Sequence, residues 1–251
     1  YDSVAVDVII TIFMLLFSIN FAVYFLILTK KWRDALASDE LRFFLAVVVT
    51  ATAVITLANL GVYSGVWESL RYTSFQVASI ISTTGFGTAD FVLWPQFSQL
   101  IIVLIMFCGA SAGSTGGGMK CSRVLILLRA VRREVHRITH PRSVEVVKLD
   151  GKLVSESTLH SLLVFLGAYV ITIFAAALVI SLDGCSFAVS FSAALTCVSN
   201  VGPGLEAIGP SGNFAAFSGL AKGVMSLCMI VGRLEIFPIL VLFSPSTWRR
   251  T

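Results

Sequence analysis

Long apolar runs alternate with short polar breaks along this chain, and the breaks on one side are basic. Val4 to Leu28 is a continuous apolar run, closed by Lys30-Lys31-Trp32-Arg33 and a charged stretch from Asp34 to Arg42. Phe43 to Val66 is a second run, and Trp67-Glu68 marks its far end. A third begins at Phe97 and reaches Ala110, where Ser111-Ala112-Gly113-Ser114-Thr115-Gly116-Gly117-Gly118 interrupts it; helical spacing resumes from Met119 to His136. Leu159 to Leu182 and Phe214 to Phe243 are the last two. A membrane core about 30 Å thick needs roughly 20 apolar residues in a helix, so the pattern predicts an all-α, polytopic membrane protein. The segment from His140 to Glu156 reads differently. Its alternation around Asp150-Gly151 predicts a small β-hairpin.

Two shorter apolar runs, Phe75 to Ile81 and Phe191 to Val198, each lead into a polar, glycine-containing loop. The first loop is Ser82-Thr83-Thr84-Gly85-Phe86-Gly87-Thr88 and the second Ser199-Asn200-Val201-Gly202-Pro203-Gly204-Leu205. Gly85 corresponds to Gly202 and Gly87 to Gly204, a spacing of 117 residues (202 − 85). The order run, short helix, loop, run therefore occurs twice, which predicts internal pseudo-symmetry around one pore. Non-helical backbone survives in a membrane only where it lines an aqueous path or is buried in protein. A Thr-x-Gly-aromatic-Gly loop after a short helix suits the first case, because backbone carbonyls can replace a potassium ion's hydration shell. Glycine allows the dihedrals that turn those carbonyls inward.

Composition agrees. The chain is 57% hydrophobic and 13% charged, against roughly a quarter charged in soluble domains. The formal charge of +4 does not point to nucleic acid, because the basic residues lie at loops, where they report topology. Lys30, Lys31, Arg33 and Arg42 form one basic connection, Lys120 to Lys152 another and Arg249-Arg250 a third. All three are expected on the cytoplasmic side, which leaves both polar loops outside. Trp32 and Trp248 then fall at inner ends, and Trp67 and Trp94 at outer ends, as an aromatic belt would have them. The five cysteines have no metal-type spacing and read as small buried hydrophobes. His136, His140 and His160 lie in or beside the basic segment and read as solvated or lipid-facing. There is no catalytic constellation, and no organic cofactor is expected. The chain begins at Tyr1 without a methionine or a signal-type segment, which fits a piece of a longer protein.

Thr83-Thr84-Gly85-Phe86-Gly87, Gly113-Ser114-Thr115-Gly116-Gly117-Gly118-Met119-Lys120, Asn200-Val201-Gly202-Pro203-Gly204 and Gly232-Arg233-Leu234-Glu235 together resemble the Trk/Ktr/HKT superfamily of potassium transporters. The resemblance runs over nearly the whole chain and is nearest to the bacterial Trk-type membrane subunit. It implies four span–filter–span repeats in the complete subunit, of which this chain holds the last two and the end of the second. The divisions are then 1–29 (closing span of an earlier repeat), 30–42 (cytoplasmic connection), 43–137 (repeat with the first filter and the broken helix), 138–158 (cytoplasmic linker) and 159–251 (repeat with the second filter). It also implies a multi-pass protein of the bacterial inner membrane surrounded by lipid, a homodimer, and a cytosolic nucleotide-binding ring as regulatory partner.

Each site has a plainer alternative. The carbonyls of Thr83, Thr84, Gly85 and Phe86, and of Asn200, Val201, Gly202 and Pro203, are expected to face the ion; the alternative is a tight outer turn. Pro203 stands where Phe86 does, so the second copy departs from the full channel pattern. The run containing Gly113, Ser114, Thr115, Gly116 and Gly117 is not a phosphate loop, since no strand precedes it and the lysine-then-hydroxyl ending is missing. The resemblance makes it an intramembrane gate; the alternative is a passive kink. Subtracting the repeat spacing places Arg233 level with Gly116 (233 − 117), so charge and broken helix should share one cavity. Glu235 is two residues on and does not share the arginine's face. At ~7 Å and an effective dielectric of ~20, Arg233 would repel a potassium ion by about 2.4 kcal/mol. Lys222 is expected either to reach the outer interface or to pair with Glu206 and brace the second filter. The rival function is coupled secondary transport of another cation or solute, which broken mid-membrane helices also fit.

Overall fold

The computed structural model describes residues 3–140 and 145–234. Expectations for Glu235, Trp248, Arg249, Arg250 and the last run beyond Leu234 lie outside the described residues, as do residues 141–144.

Ten α-helices make up the described fold: α1 Val4–Ser18, α2 Phe21–Leu28, α3 Trp32–Ala37, α4 Asp39–Ala58, α5 Val66–Ile81, α6 Gln96–Cys108, α7 Cys121–Thr139, α8 Glu156–Ile180, α9 Phe187–Ser199 and α10 Gly219–Arg233. The all-helical architecture expected from the pattern is present. Among the described residues α4 and α8 are long and apolar enough to cross a membrane, and α1 with α2 would add a third if counted as one span. The two repeats are built alike. Helices α4 and α6 pack on the short helix α5, and α8 and α10 pack on the short helix α9. Contacts of α6 with α9 and of α7 with α8 join the repeats. One hydrophobic core runs through both, containing Ile55, Ile80, Ile102, Met106, Tyr169, Leu195 and Val198.

Local chemistry explains most boundaries. Ser155, Ser186 and Ser218 cap α8, α9 and α10, each accepting from the backbone N–H three residues on. Helix α9 stops where Asn200 takes a left-handed conformation (φ 57°), which asparagine tolerates better than most residues. Gly109 (φ 71°) ends α6. The hairpin pairs Lys148 with Leu153 and Leu149 with Lys152. Asp150 and Gly151 are both left-handed at its turn, the geometry a two-residue hairpin prefers.

Three expectations are corrected. The run Val4 to Leu28 is not one straight span: α1 and α2 meet at 92°. Asn20 makes the corner by accepting from Ala22 N at 2.9 Å as the cap of α2, and Phe21 N donates to Gly113 O at 3.2 Å instead of within a helix. The second run ends as a helix at Ala58, before Val66, and the last begins at Gly219, after Phe214. Trp94 is only 3% exposed; its ring lies tilted beside that of Phe91 and it donates to Tyr63 Oη at 2.8 Å, so it is a core residue and not part of a belt. Trp67, at 83% exposed, is free to meet lipid headgroups. Four of the cysteines are buried and Cys185 is half-buried. His136 stacks on His140 and contacts Glu145 at 3.1 Å.

Candidate functional site

The first polar loop leaves α5 through Thr83, which is left-handed (φ 58°). Its N–H groups turn back onto the helix: Thr84 N and Gly85 N both donate to Ser79 O, at 3.0 and 3.4 Å. The second loop leaves α9 through Asn200 (φ 57°) and does the same. Val201 N donates to Thr196 O at 3.0 Å, and Gly202 N to Thr196 Oγ1 at 2.8 Å. Ser79 and Thr196 are themselves one repeat apart (196 − 79 = 117). Successive N–H groups that point to the helix leave the carbonyls to point away from it. Among the described residues no hydrogen bond engages the carbonyls of Thr83, Thr84, Gly85, Asn200, Val201, Gly202 or Pro203. Phe86 is the exception: its carbonyl accepts from Ser79 Oγ at 2.6 Å and is drawn back toward α5.

The loops face each other across their glycines. A methyl group added at Gly85 would overlap the Val201 carbonyl oxygen and lie 3.2 Å from Pro203 Cδ. One added at Gly202 would meet only Gly85 Cα, at 4.0 Å.

The broken segment between α6 and α7 runs directly beneath both loops. Gly117 N donates to Thr83 Oγ1 at 2.8 Å. A methyl at Gly116 would lie 3.2 Å from Ser82 O, and one at Gly117 would overlap Ser199 O. Only glycine fits this close to two other backbones. On its other side the segment threads the corner between α1 and α2, where Ser111 N donates to Ser18 O at 3.1 Å and Thr115 N to Phe17 O at 3.4 Å. Two cations hold consecutive carbonyls of its tip. Arg233 Nη1 donates to Thr115 O at 3.1 Å, and Lys120 Nζ donates to Gly116 O. A cavity of about 220 Å³ lies here, lined by the tip, Lys120, Arg123, Tyr169 and Arg233. Among the described residues no group of three or more His, Cys, Asp or Glu could hold a metal ion.

The family model for TrkH, described as a cation transport protein, matches residues 1–250. The chain belongs to the TrkH family. It is 34% identical over 256 residues to the Trk system potassium uptake protein TrkH of Salmonella typhimurium, and 31% identical over 252 residues to TrkG of Escherichia coli K12. Each alignment takes in 99% of this chain. The crystal structure of the potassium transporter TrkH from Vibrio parahaemolyticus superposes with a TM-score of 0.88 at 32% identity, over 99% of this chain and 54% of that one. The chain spans about half the length of the curated relatives it matches. TrkH-family proteins are transport proteins and not enzymes.

Within this TrkH-family chain the glycine-rich tip and Arg233 meet, at Thr115, one residue from the Gly116 that the repeat spacing names. Lys222 and Glu206 do not. Lys222 Nζ donates to Ala215 O at 2.8 Å, whereas Glu206 accepts from Ser186 Oγ at 2.6 Å, over the first turn of α9. Lys222 sits on the first turn of α10 and is taken up by a different partner, so the expected brace is not formed. Sequence reasoning missed Lys120 as a contact of the tip, although it closes the glycine-rich motif. It also missed Ser79 and Thr196, whose one-repeat spacing was the available signal.

Proposed function

We propose that this chain forms half of the wall of a potassium-uptake pore, in which the two polar loops are filter segments and the tip Gly113–Gly117 with Arg233 is a gate beneath them. The observation that carries the reading is the shared backbone arrangement of the loops. Two segments one repeat apart turn their N–H groups onto short helices and leave their carbonyls uncommitted, which is what dehydrating a cation requires. The relatives named for potassium uptake support potassium as the ion. In the complete protein the two repeats, 43–137 and 159–251, stand beside two more in the bacterial inner membrane, in a homodimer with a cytosolic nucleotide-binding ring.

The gate reading rests on Gly116 and Gly117 lying against Ser82 and Ser199, so the tip occupies the space through which an ion leaving the loops would pass. Arg233 adds a charge there that repels cations. Coupled transport of another solute would need an acidic group free to change partners. Among the described residues the two buried acids are engaged: Asp7 with Arg71 at 2.6 Å, and Glu40 with two backbone donors and Asn20. Isotope-labelled potassium uptake into liposomes by the full-length protein containing this chain, with and without sodium, tests the proposal. Potassium flux that saturates and needs no second solute is the expected result. Uptake strictly dependent on another solute, or none, refutes it.

A further inference from the structure

Glu40 is a buried carboxylate, 5% exposed, on the first turn of α4. Its Oε1 accepts from Ala112 N at 2.6 Å and from Ser122 N at 3.2 Å, and its Oε2 accepts from Asn20 Nδ2 at 3.3 Å. Ala112 enters the glycine-rich tip and Ser122 stands in the first turn of α7, just after it. One side chain thus holds both ends of the broken segment and the corner between α1 and α2. Every contact is to a donor, which suits a group that only accepts. The need for it is local. Helix α7 starts at Lys120, which is left-handed (φ 79°) and offers no side-chain cap, so its first N–H groups need an acceptor from elsewhere. A carboxylate there is also favoured by the helix dipole.

We propose that Glu40 is the positioning residue of the gate: it fixes the two feet of the glycine-rich segment so that only 113–117 can move. The inference rests on reading that segment as a gate. With both feet on one oxygen, the tip is a short flap on a rigid base. Cys121 N also donates to Ala110 O at 2.9 Å, so the feet stay joined one step further out; without the carboxylate, Ala112 and Ser122 loosen around that bond, and the tip returns less often beneath Thr83 and Ser199.

Glu40→Gln is the test. Asn20 cannot turn its amide to help, because its Oδ1 caps α2 through Ala22 N. Whichever way the new glutamine amide faces, one N–H therefore meets another. In the full-length protein, hydrogen exchange across 109–122 is expected to speed up about tenfold (about 1.4 kcal/mol), with 66–81 unchanged. Potassium flux per folded molecule should rise, and lose dependence on the cytosolic partner. Glu40→Asp keeps the charge one methylene further back and should show the same changes at smaller size; it is the variant to read if the glutamine fails to fold. Deleting 113–117 separates the two ideas. If the deletion raises flux, and Glu40→Gln adds nothing in that background but raises flux alone, the proposal stands. If the deletion raises flux and neither Glu40 variant changes flux or exchange, the anchor is wrong while the gate survives. If the deletion leaves flux unchanged, the gate reading fails, and the role of Glu40 fails with it.

Discussion

Behind the first loop, Gln76 is fully buried and donates from Nε2 to Ala89 O at 2.5 Å, tying the end of the loop to α5. The same repeat also buries Thr73, Thr56 and Asn59, the last accepting from Ser98 Oγ at 2.8 Å. One repeat later the same positions are Ala193, Ser190, Ile173 and Ala176, apolar but for the serine and packed in the core. The end of the second loop is tied to α9 by Ser192 Oγ, which accepts from Leu205 N at 3.0 Å, and its start is held from below, where Tyr169 Oη meets Ser199 Oγ at 2.7 Å. The turns that leave the two helices nonetheless coincide. Thr83 and Asn200 share φ to within a degree, while Gly85 (φ 75°) and Gly202 (φ 119°) are both positive but differ by 44°. The helices that follow differ again: the first breaks into the glycine-rich segment, while α10 continues to Arg233. One repeat supplies the flap and the other the charge that grips it. What the duplication preserves is the turn that frees the carbonyls; what it has let diverge is the support on either side.

The two glycines occupy matching places in the loops but not matching surroundings, so the same substitution should injure them unequally. Both have positive φ, 75° at Gly85 and 119° at Gly202, so Gly85→Ser and Gly202→Ser are each strained. Only Gly85 also faces a backbone oxygen inside contact distance. The expected loss of potassium-over-sodium preference is on the order of a hundredfold for Gly85→Ser and about tenfold for Gly202→Ser, taking about 1.4 kcal/mol per tenfold. Ion-competition flux in liposomes measures both. Equal losses would mean that contact with the opposite loop does not matter.

Arg233 tests the division of labour between flap and charge. By the Coulomb estimate, Arg233→Ala should raise flux by up to roughly fiftyfold with selectivity unaltered. Arg233→Lys keeps the charge but loses the fork of donors, so it should fall between wild type and alanine. A correctly folded alanine variant with less flux would sink the electrostatic barrier and leave Arg233 as a strut for Thr115.

The repeat was legible because its markers are local: glycines, and a polar loop after a short apolar run, at a constant spacing. The same spacing pairs Arg233 with Gly116, next to the Thr115 carbonyl it contacts. Three features were not legible, each for a definite reason. The corner at Asn20 lies inside an apolar run, where one polar residue hardly changes the count, and the backbone bond that replaces a helical one comes from Gly113, far along the chain. Lys222 and Glu206 are near in sequence and opposite in charge, yet the conformation of the intervening loop decides whether they meet. Glu40 looked like one more charge in a polar connection. Nothing beside it shows that its partners stand 72 and 82 residues away.

The smallest expected effect is at Gln76. Its amide reaches from α5 to the residue just past the first loop, so it fixes the loop's far end without contacting an ion. Gln76→Leu keeps most of the volume and removes the donor. Ala89 O then loses its partner in a place water reaches poorly, at a cost of about 1–3 kcal/mol. The loop relieves part of that by shifting, and the shift appears as a change in preference. A few-fold drop in potassium-over-sodium selectivity is expected, with near-normal total flux, because the carbonyls of Thr83, Thr84 and Gly85 are still presented. The matched change is Ala193→Ser, which adds one hydroxyl at the same position behind the second loop. No loop carbonyl depends on Ala193, so selectivity there should stay at wild type while thermal stability falls slightly. If Ala193→Ser alters selectivity as much as Gln76→Leu, the second loop is also set from behind, and the contrast between polar and apolar support loses its meaning. If neither does, both loops are positioned by their own turns and by the segment beneath them.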